Sequence, residues 1–308
     1  MGAAAIMIER RTSIPLLRLL ILALVSGSVA FVATSLWMGT RLAAPAPSSA
    51  GLPPPELAAS DVRFENAYGE TLSGWWIEAK PACGTILLMH GIRQNRRAML
   101  SHAPFLVEAG YAVLLFDFRA HGESEGDRIT FGHRESGDAR AAISFAARQL
   151  PGRPVAAIGF SMGGAAALLA DPPLDLDALV VEAAYPTWTE SVVNKIRIRL
   201  GPLAELVAPA LLLQLEPRLG ISPDALRPIN RITGIDTPVL VIAGTDDPHA
   251  PLAQSRALYE VARPPKAFWA VEGAGHVDFH RAAPAEYERR VLEFLKRHLG
   301  PCPPPTGS

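Results

Sequence analysis

From about residue 61 onward, short apolar runs recur between longer helix-like segments, and this rhythm constrains the fold more than any other feature of the chain. Residues 61–65 and 72–78 read as two early strands joined by a turn at Tyr68-Gly69. Residues 85–89, 112–118, 155–160, 178–181, 239–243 and 267–271 are near-continuous apolar runs. A strand that is apolar at nearly every position is covered on both faces, as inside a parallel sheet packed between helices. Candidate helices fall between the runs at 98–109, 135–150, 162–170, 252–261 and 285–298. The alternation predicts an α/β fold with a doubly wound, mostly parallel sheet. Ligands of such sheets bind at the carboxyl ends of the strands, so the chemistry is expected just after the apolar runs.

The N-terminus has a different character. Arg10, Arg11 and Arg18 precede an uncharged run over residues 19–38. A membrane span needs about 20 apolar residues, and positive charge before it predicts an inward N-terminus with the rest of the chain outside. The expected organisation is a basic segment at 1–14, a transmembrane signal anchor at 15–38 and a Pro/Ala-rich linker at 39–60. Within the linker, 43–59 are expected to be an extended, semi-rigid spacer. A domain then follows at 61–300, with a disordered tail at 301–308. A cleaved signal peptide competes with the anchor, because Ser28-Val29-Ala30 offers small residues at a peptidase spacing; the chain would then be secreted or periplasmic. A third reading, a buried core helix, fits the spacer-like segment that follows less well.

Residues 187–235 break the rhythm. Val192, Val193, Ile196, Ile198 and Leu200 lead into a very apolar stretch at 203–215 containing Pro209. Two or three helices inserted between strands are expected. They either cap the active site and shape an apolar pocket or add core to the sheet.

Gly159-Phe160-Ser161-Met162-Gly163 is a G-x-S-x-G sequence. Alone it occurs by chance. Here it follows a strand-like run and opens a helix, the context of a nucleophile elbow. Gly159 and Gly163 let strand and helix approach, the turn strains the serine, and the Met162 amide at a helix N-terminus faces a developing oxyanion. The base is expected at His276, in Gly273-Ala274-Gly275-His276 between the last apolar run and the final helix. His280 is its neighbouring rival, and His102 and His298 lie in predicted helices as surface residues. The orienting carboxylate is Asp246 or Asp247, after the run at 239–243. A second oxyanion donor is expected at the Ile92 amide in His90-Gly91-Ile92, with His90 as a structural brace.

These pieces resemble the α/β-hydrolase superfamily, in particular its serine hydrolases of the esterase and aminopeptidase-like kind, over roughly residues 61–298. The carrying motifs are Met89-His90-Gly91, the stretch from Asp117 to Ser124, the elbow, the Gly244 to Pro251 loop and Gly275-His276. The resemblance implies the triad order Ser161, Asp247, His276, because the family's acid stands three residues after the loop glycine. It also implies structural roles for Asp117 and Arg119, and a glycine where Ala120 stands here.

The function implied is a serine hydrolase that cleaves carboxylic esters or related acyl substrates through an acyl-enzyme, on a small-molecule or lipid-like acyl substrate. No metal and no cofactor is required. A membrane-associated peptidase, lipase or acyltransferase would use the same triad, and a non-catalytic binding module is the most distant alternative. A serine at position 161 argues against chemistry that needs a carboxylate nucleophile. A net charge of −1 and a pI of 6.7 argue against nucleic acid as a partner. Two cysteines, Cys83 and Cys302, are too few for a disulfide framework. Their simpler reading is one buried thiol and one on the tail, and the alternative is that they pair.

Overall fold

The computed structural model describes residues 2–300, with side chains from residue 16 onward. All eight expected strands form in it. In chain order the strands are β1 Ala46–Pro47, β2 Ser60–Glu65, β3 Thr71–Ile77, β4 Thr85–Met89, β5 Ala112–Phe116, β6 His121–Gly122, β7 Val155–Phe160, β8 Ala178–Glu182, β9 Val239–Gly244 and β10 Lys266–Val271. Eight of them make one sheet of order β10-β9-β8-β7-β4-β5-β3-β2. β3 runs antiparallel to both of its neighbours, β2 and β5, and every other neighbouring pair in this sheet is parallel.

The central strands are buried at every position because each feeds two cores. Leu87, Met89, Leu114 and Phe116 point to one face of the sheet, and Ile86, Leu88, Val113 and Leu115 to the other. Side chains that alternate along the strand explain why both sets must be apolar.

The helices are α1 Gly2–Ala43, α2 Ala103–Glu108, α3 Glu135–Gln149, α4 Met162–Leu169, α5 Trp188–Leu200, α6 Ala204–Leu212, α7 Leu215–Leu219, α8 Pro228–Arg231, α9 Leu252–Val261, α10 Phe279–Ala282 and α11 Pro284–Leu299. The helix expected at 98–109 is split into a 3-10 segment, Arg96–His102, and then α2. Pro104 sits in the first turn of α2, where its missing N–H is harmless but would interrupt a longer helix. α5 to α8 form the insertion between β8 and β9.

Three expectations need correction. Residues 43–59 do not hang free. β1 pairs parallel with β6, the Ala46 amide donates to Ala120 O at 2.7 Å and Ser48 N to Gly122 O at 2.9 Å. Arg97 Nη1 donates to Ala50 O at 2.8 Å, and Ala50 is buried. His102 is buried against Phe105 and Tyr287, not on the surface. Cys83 is buried and disulfide-bonded, not a plain thiol. The expectations for 301–308 and for Cys302 lie outside the described residues.

Candidate active site

Ser161 follows β7 and caps α4 with φ 50° and ψ −110°. A non-glycine residue there stores strain of about 1–3 kcal/mol, which only a well-determined surrounding holds. The Ser161 amide donates to Glu182 O on β8 at 2.8 Å, which fastens the turn to the next strand. A Cβ on Gly163 would overlap the Met89 carbonyl oxygen, and one on Gly159 would lie 2.6 Å from Gly164 N. Both glycines are therefore demanded by close backbone approach.

The acidic loop follows β9. Asp247 is buried and its carboxylate is fully engaged. Oδ1 accepts His249 N at 2.7 Å and Ala250 N at 2.9 Å, and His276 Nδ1 donates to Oδ2 at 2.7 Å. Asp246 is exposed, and among the described residues its carboxylate accepts from Thr245 Oγ1 alone, at 3.2 Å. The structure thus brings Asp247, and not Asp246, to His276. With Nδ1–H given to the carboxylate, Nε2 is left as the ring's free acceptor. Phe160 and His249 flank the imidazole at ring separations of 4.9 Å each.

Ser161 and His276 line one cavity of about 220 Å³, with Gly91, Ile92, Phe160 and Tyr185 among its walls. Among the described residues Ser161 Oγ makes no hydrogen bond, as is common before substrate tightens such a site. Ile92 lies in the cavity wall; Met162 opens α4, its side chain buried in the core.

The remaining expected histidines have other tasks. His90 donates from Nδ1 to Gly91 O at 2.7 Å and accepts Phe118 N on Nε2 at 3.1 Å. That uses both nitrogens of a neutral ring, and burial pushes its pKa down to about 3. His90 therefore braces the loop that carries Ile92. His280 is turned to Glu288 at 2.8 Å. His298 is half-buried against Phe294.

The Asp117 loop is held by charge. Asp117 accepts Arg96 N at 2.6 Å and Glu123 N at 2.9 Å, and it pairs with the buried Arg96 guanidinium. Arg119 pairs with Glu70 at 2.5 Å. Ala120, where a glycine was expected, has φ 57°, the left-handed region that glycine enters without cost.

Two comparisons carry the identity. An uncharacterised protein of Mycobacterium tuberculosis H37Rv is 31% identical over 83% of this chain and 84% of its own length. The esterase Pf2001 of Pyrococcus furiosus superposes with a TM-score of 0.70 at 27% identity, covering 84% of this chain and 99% of that one. The chain belongs to the α/β-hydrolase superfamily. The model of the family described as "Serine aminopeptidase, S33" matches this hydrolase over residues 80–229. YqkD of Bacillus subtilis, itself uncharacterised, is 27% identical over 75% of the hydrolase and 77% of its own length.

The sequence reading missed several cavity residues. Ser191 and Lys195 reach the cavity from α5, four residues apart and so on one helix face. Their spacing was a usable signal, but the partner of that face was not. Burial lowers the Lys195 pKa to about 8, and no carboxylate among the described residues pairs with it. Asn194 ties α5 to the acidic loop, donating to His249 O at 3.0 Å and to Gln254 Oε1 at 2.9 Å. Glu182 is buried beneath the cavity, accepts from Tyr287 OH, and is pushed up to about 8 by desolvation.

Proposed function

We propose that this hydrolase is a membrane-anchored serine esterase that works through an acyl-enzyme. The carrying observation is the 2.7 Å contact of His276 Nδ1 with the buried Asp247 carboxylate, at the cavity that also holds strained Ser161. In this reading His276 Nε2 takes the Ser161 proton as Oγ attacks the ester carbonyl. The Ile92 and Met162 amides hold the oxyanion, with the N-terminus of α4 behind the second. His276 returns the proton to the leaving alkoxide. Water, deprotonated by the same nitrogen, then attacks the acyl carbonyl; Ser161 is released with its proton and the acid leaves.

The electrostatics of the cavity favour an ester over a peptide with a free amino terminus. An aminopeptidase needs a charged carboxylate for the substrate ammonium. Glu182 is held toward its neutral form, Asp278 is paired with Arg281 at 3.3 Å and accepts from Ser101 at 2.6 Å, and Lys195 in the wall has no carboxylate partner among the described residues.

α1 supports the anchor. Residues Leu16–Ala43 have a mean hydropathy of 2.3 in their most apolar window, and that window is unburied by protein. The disulfide at Cys83 suits an oxidising compartment, which agrees with a catalytic domain outside the cytoplasm.

The test is fluorophosphonate labelling of the full chain in membranes, with hydrolysis of p-nitrophenyl butyrate measured in parallel. Labelling of the wild type and its loss in Ser161→Ala are expected, with kcat down by at least about 10³. Full activity in Ser161→Ala would falsify the reading.

A further inference from the structure

Along residues 16–34 helix α1 is exposed, and it meets the domain near its C-terminal end. Residues 19–38 rise about 30 Å at 1.5 Å per residue, the thickness of the hydrocarbon layer. Ser35 falls within that stretch, yet it is already packed on α6. Ser35 Oγ donates to Ala210 O at 3.2 Å, and Gln214 Nε2 donates to Ser35 O at 3.1 Å and to its Oγ at 2.8 Å. Arg218, on α7, reaches Leu36 O at 2.9 Å and Thr40 Oγ1 at 2.8 Å. If α1 crosses a bilayer, these contacts set α6 at the edge of the hydrocarbon.

The side of the insertion turned away from the sheet suits that depth. Leu203, Leu206 and Leu213 are 57%, 75% and 78% exposed. At i, i+3 and i+10 they share one face. Ile198 and Leu200 at the end of α5 extend it. On α1, which packs on α6, Leu36 and Trp37 are exposed as well. Arg41 at the end of α1 and Arg199 at the end of α5 follow these apolar stretches in the chain and could meet anionic headgroups. The run from α5 to α7 is apolar enough to pass for a span, but the chain turns at Gly201-Pro202 and Pro209 lies inside α6. Short helices with one apolar face lie on a membrane; they do not cross it.

We propose that α6 and the C-terminal end of α5 are a second membrane contact, an interfacial face lying in the bilayer surface beside α1. The inference rests on the anchor reading of α1. It also narrows the substrate. Lys195 in the cavity wall and Leu200 at the lipid edge are five residues apart on α5, about 7.5 Å of rise. The cavity wall therefore lies near the proposed lipid edge, and the ester this reading assigns to it is one dissolved in the bilayer.

The test uses the full chain in phosphatidylcholine vesicles. Dansylalanine is placed singly at positions 206 and 213, at 24 within α1, and at 149 at the far end of α3. Quenching by lipids spin-labelled at carbon 5 of the acyl chain is then measured. Positions 24, 206 and 213 are expected to quench, and 149 is not. Quenching at 24 without 206 and 213 overturns the second contact while leaving the anchor. No quenching at 24 overturns both. Blue-shifted emission at 206 and 213 without quenching by lipid overturns the proposal in favour of a protein partner on that face. As a functional arm, Leu206→Glu with Leu213→Glu is expected to lower the ratio of turnover on vesicle-dissolved ester to turnover on p-nitrophenyl acetate by about tenfold. An unchanged ratio overturns the proposal.

Discussion

Asp247→Asn separates orientation from folding at this site. Oδ1 of residue 247 is pinned by two backbone amides, at 2.7 Å and 2.9 Å, and an asparagine keeps that bond set only with its oxygen in the same place. Its amide nitrogen must then face His276 Nδ1, where the carboxylate oxygen stood at 2.7 Å. A nitrogen that donates to Nδ1 forces the imidazole proton onto Nε2. In that tautomer the ring cannot accept the Ser161 proton, and the imidazolium has lost its counter-charge. The expected loss is about 10⁴ in kcat, or about 5 kcal/mol of transition-state stabilisation. Folding should suffer far less, by about 1–2 kcal/mol, because two charge-assisted hydrogen bonds become neutral ones. Asp246→Asn is the internal control, since Asp246 is exposed and should change stability by less than about 0.5 kcal/mol and kcat hardly at all. The assay is kcat on p-nitrophenyl butyrate with the melting temperature measured on the same samples. Retention of more than a tenth of kcat by Asp247→Asn, or an equal loss in Asp246→Asn, would refute the orientation argument.

Four further outcomes follow from the same contacts. Gly163→Ala drives a methyl into the Met89 carbonyl and should cost about 3 kcal/mol, read as a lower denaturation midpoint. Arg96→Met strands the buried Asp117 carboxylate and should cost about 3–5 kcal/mol in urea unfolding; a cost under 1 kcal/mol would contradict the reading of this pair. Glu182 has a folded pKa raised from 4.5 to about 8, so the folded state binds the extra proton and stability falls as pH climbs through that window. Glu182→Gln should flatten the decline by up to one proton, about 1.4 kcal/mol per pH unit, in denaturant titrations from pH 5 to 8. Lys195→Met should lower kcat/KM for a p-nitrophenyl ester with a terminal carboxylate, relative to its neutral analogue, by about tenfold; Lys195→Arg should keep the preference.

Much of this was legible because two-sided burial writes itself into sequence. The runs at 85–89, 112–116 and 155–160 are apolar at nearly every position since each strand serves two cores. The elbow was legible because glycines at 159 and 163 answer a steric demand of the backbone itself. Asp247 could not be separated from Asp246 by residue type. Only the register of the loop turns one inward to His276 and the other to solvent. His102 was misplaced because helical periodicity shows a face without showing what covers it, and the cover here is Tyr287, far along the chain. The pairing of 46–47 with 121–122 left no signal at all. It depends on the positive φ of Ala120 and Gly122, which bends the loop outward, and on carbonyls that any residue possesses.

That pairing changes what the N-terminal segment does. A free spacer would let the domain tumble beneath its anchor, and the cavity would meet the bilayer only by chance. Here the chain is fastened at successive places from the last turns of the apolar helix onward. Gln214 and Arg218 grip Ser35 to Thr40, Arg93 Nη1 reaches Arg41 O at 3.0 Å, β1 joins β6, and Arg97 holds Ala50 O. The rotation left to the domain is small, because each attachment lies on a different element. If α1 is the proposed anchor, fixing it in this way sets both height and tilt. In the proposed arrangement the two then determine which surface meets lipid, and that surface is the leucine face of α6, with α5, which lines the cavity, packed on that helix. Lengthening the segment between α1 and β1 by several glycines, together with Gln214→Ala and Arg218→Ala to release α1 itself, would leave Asp247 and His276 untouched, yet it would uncouple the domain from the helix. Turnover of bilayer-dissolved esters should then fall while Ser161 keeps its rate of fluorophosphonate labelling.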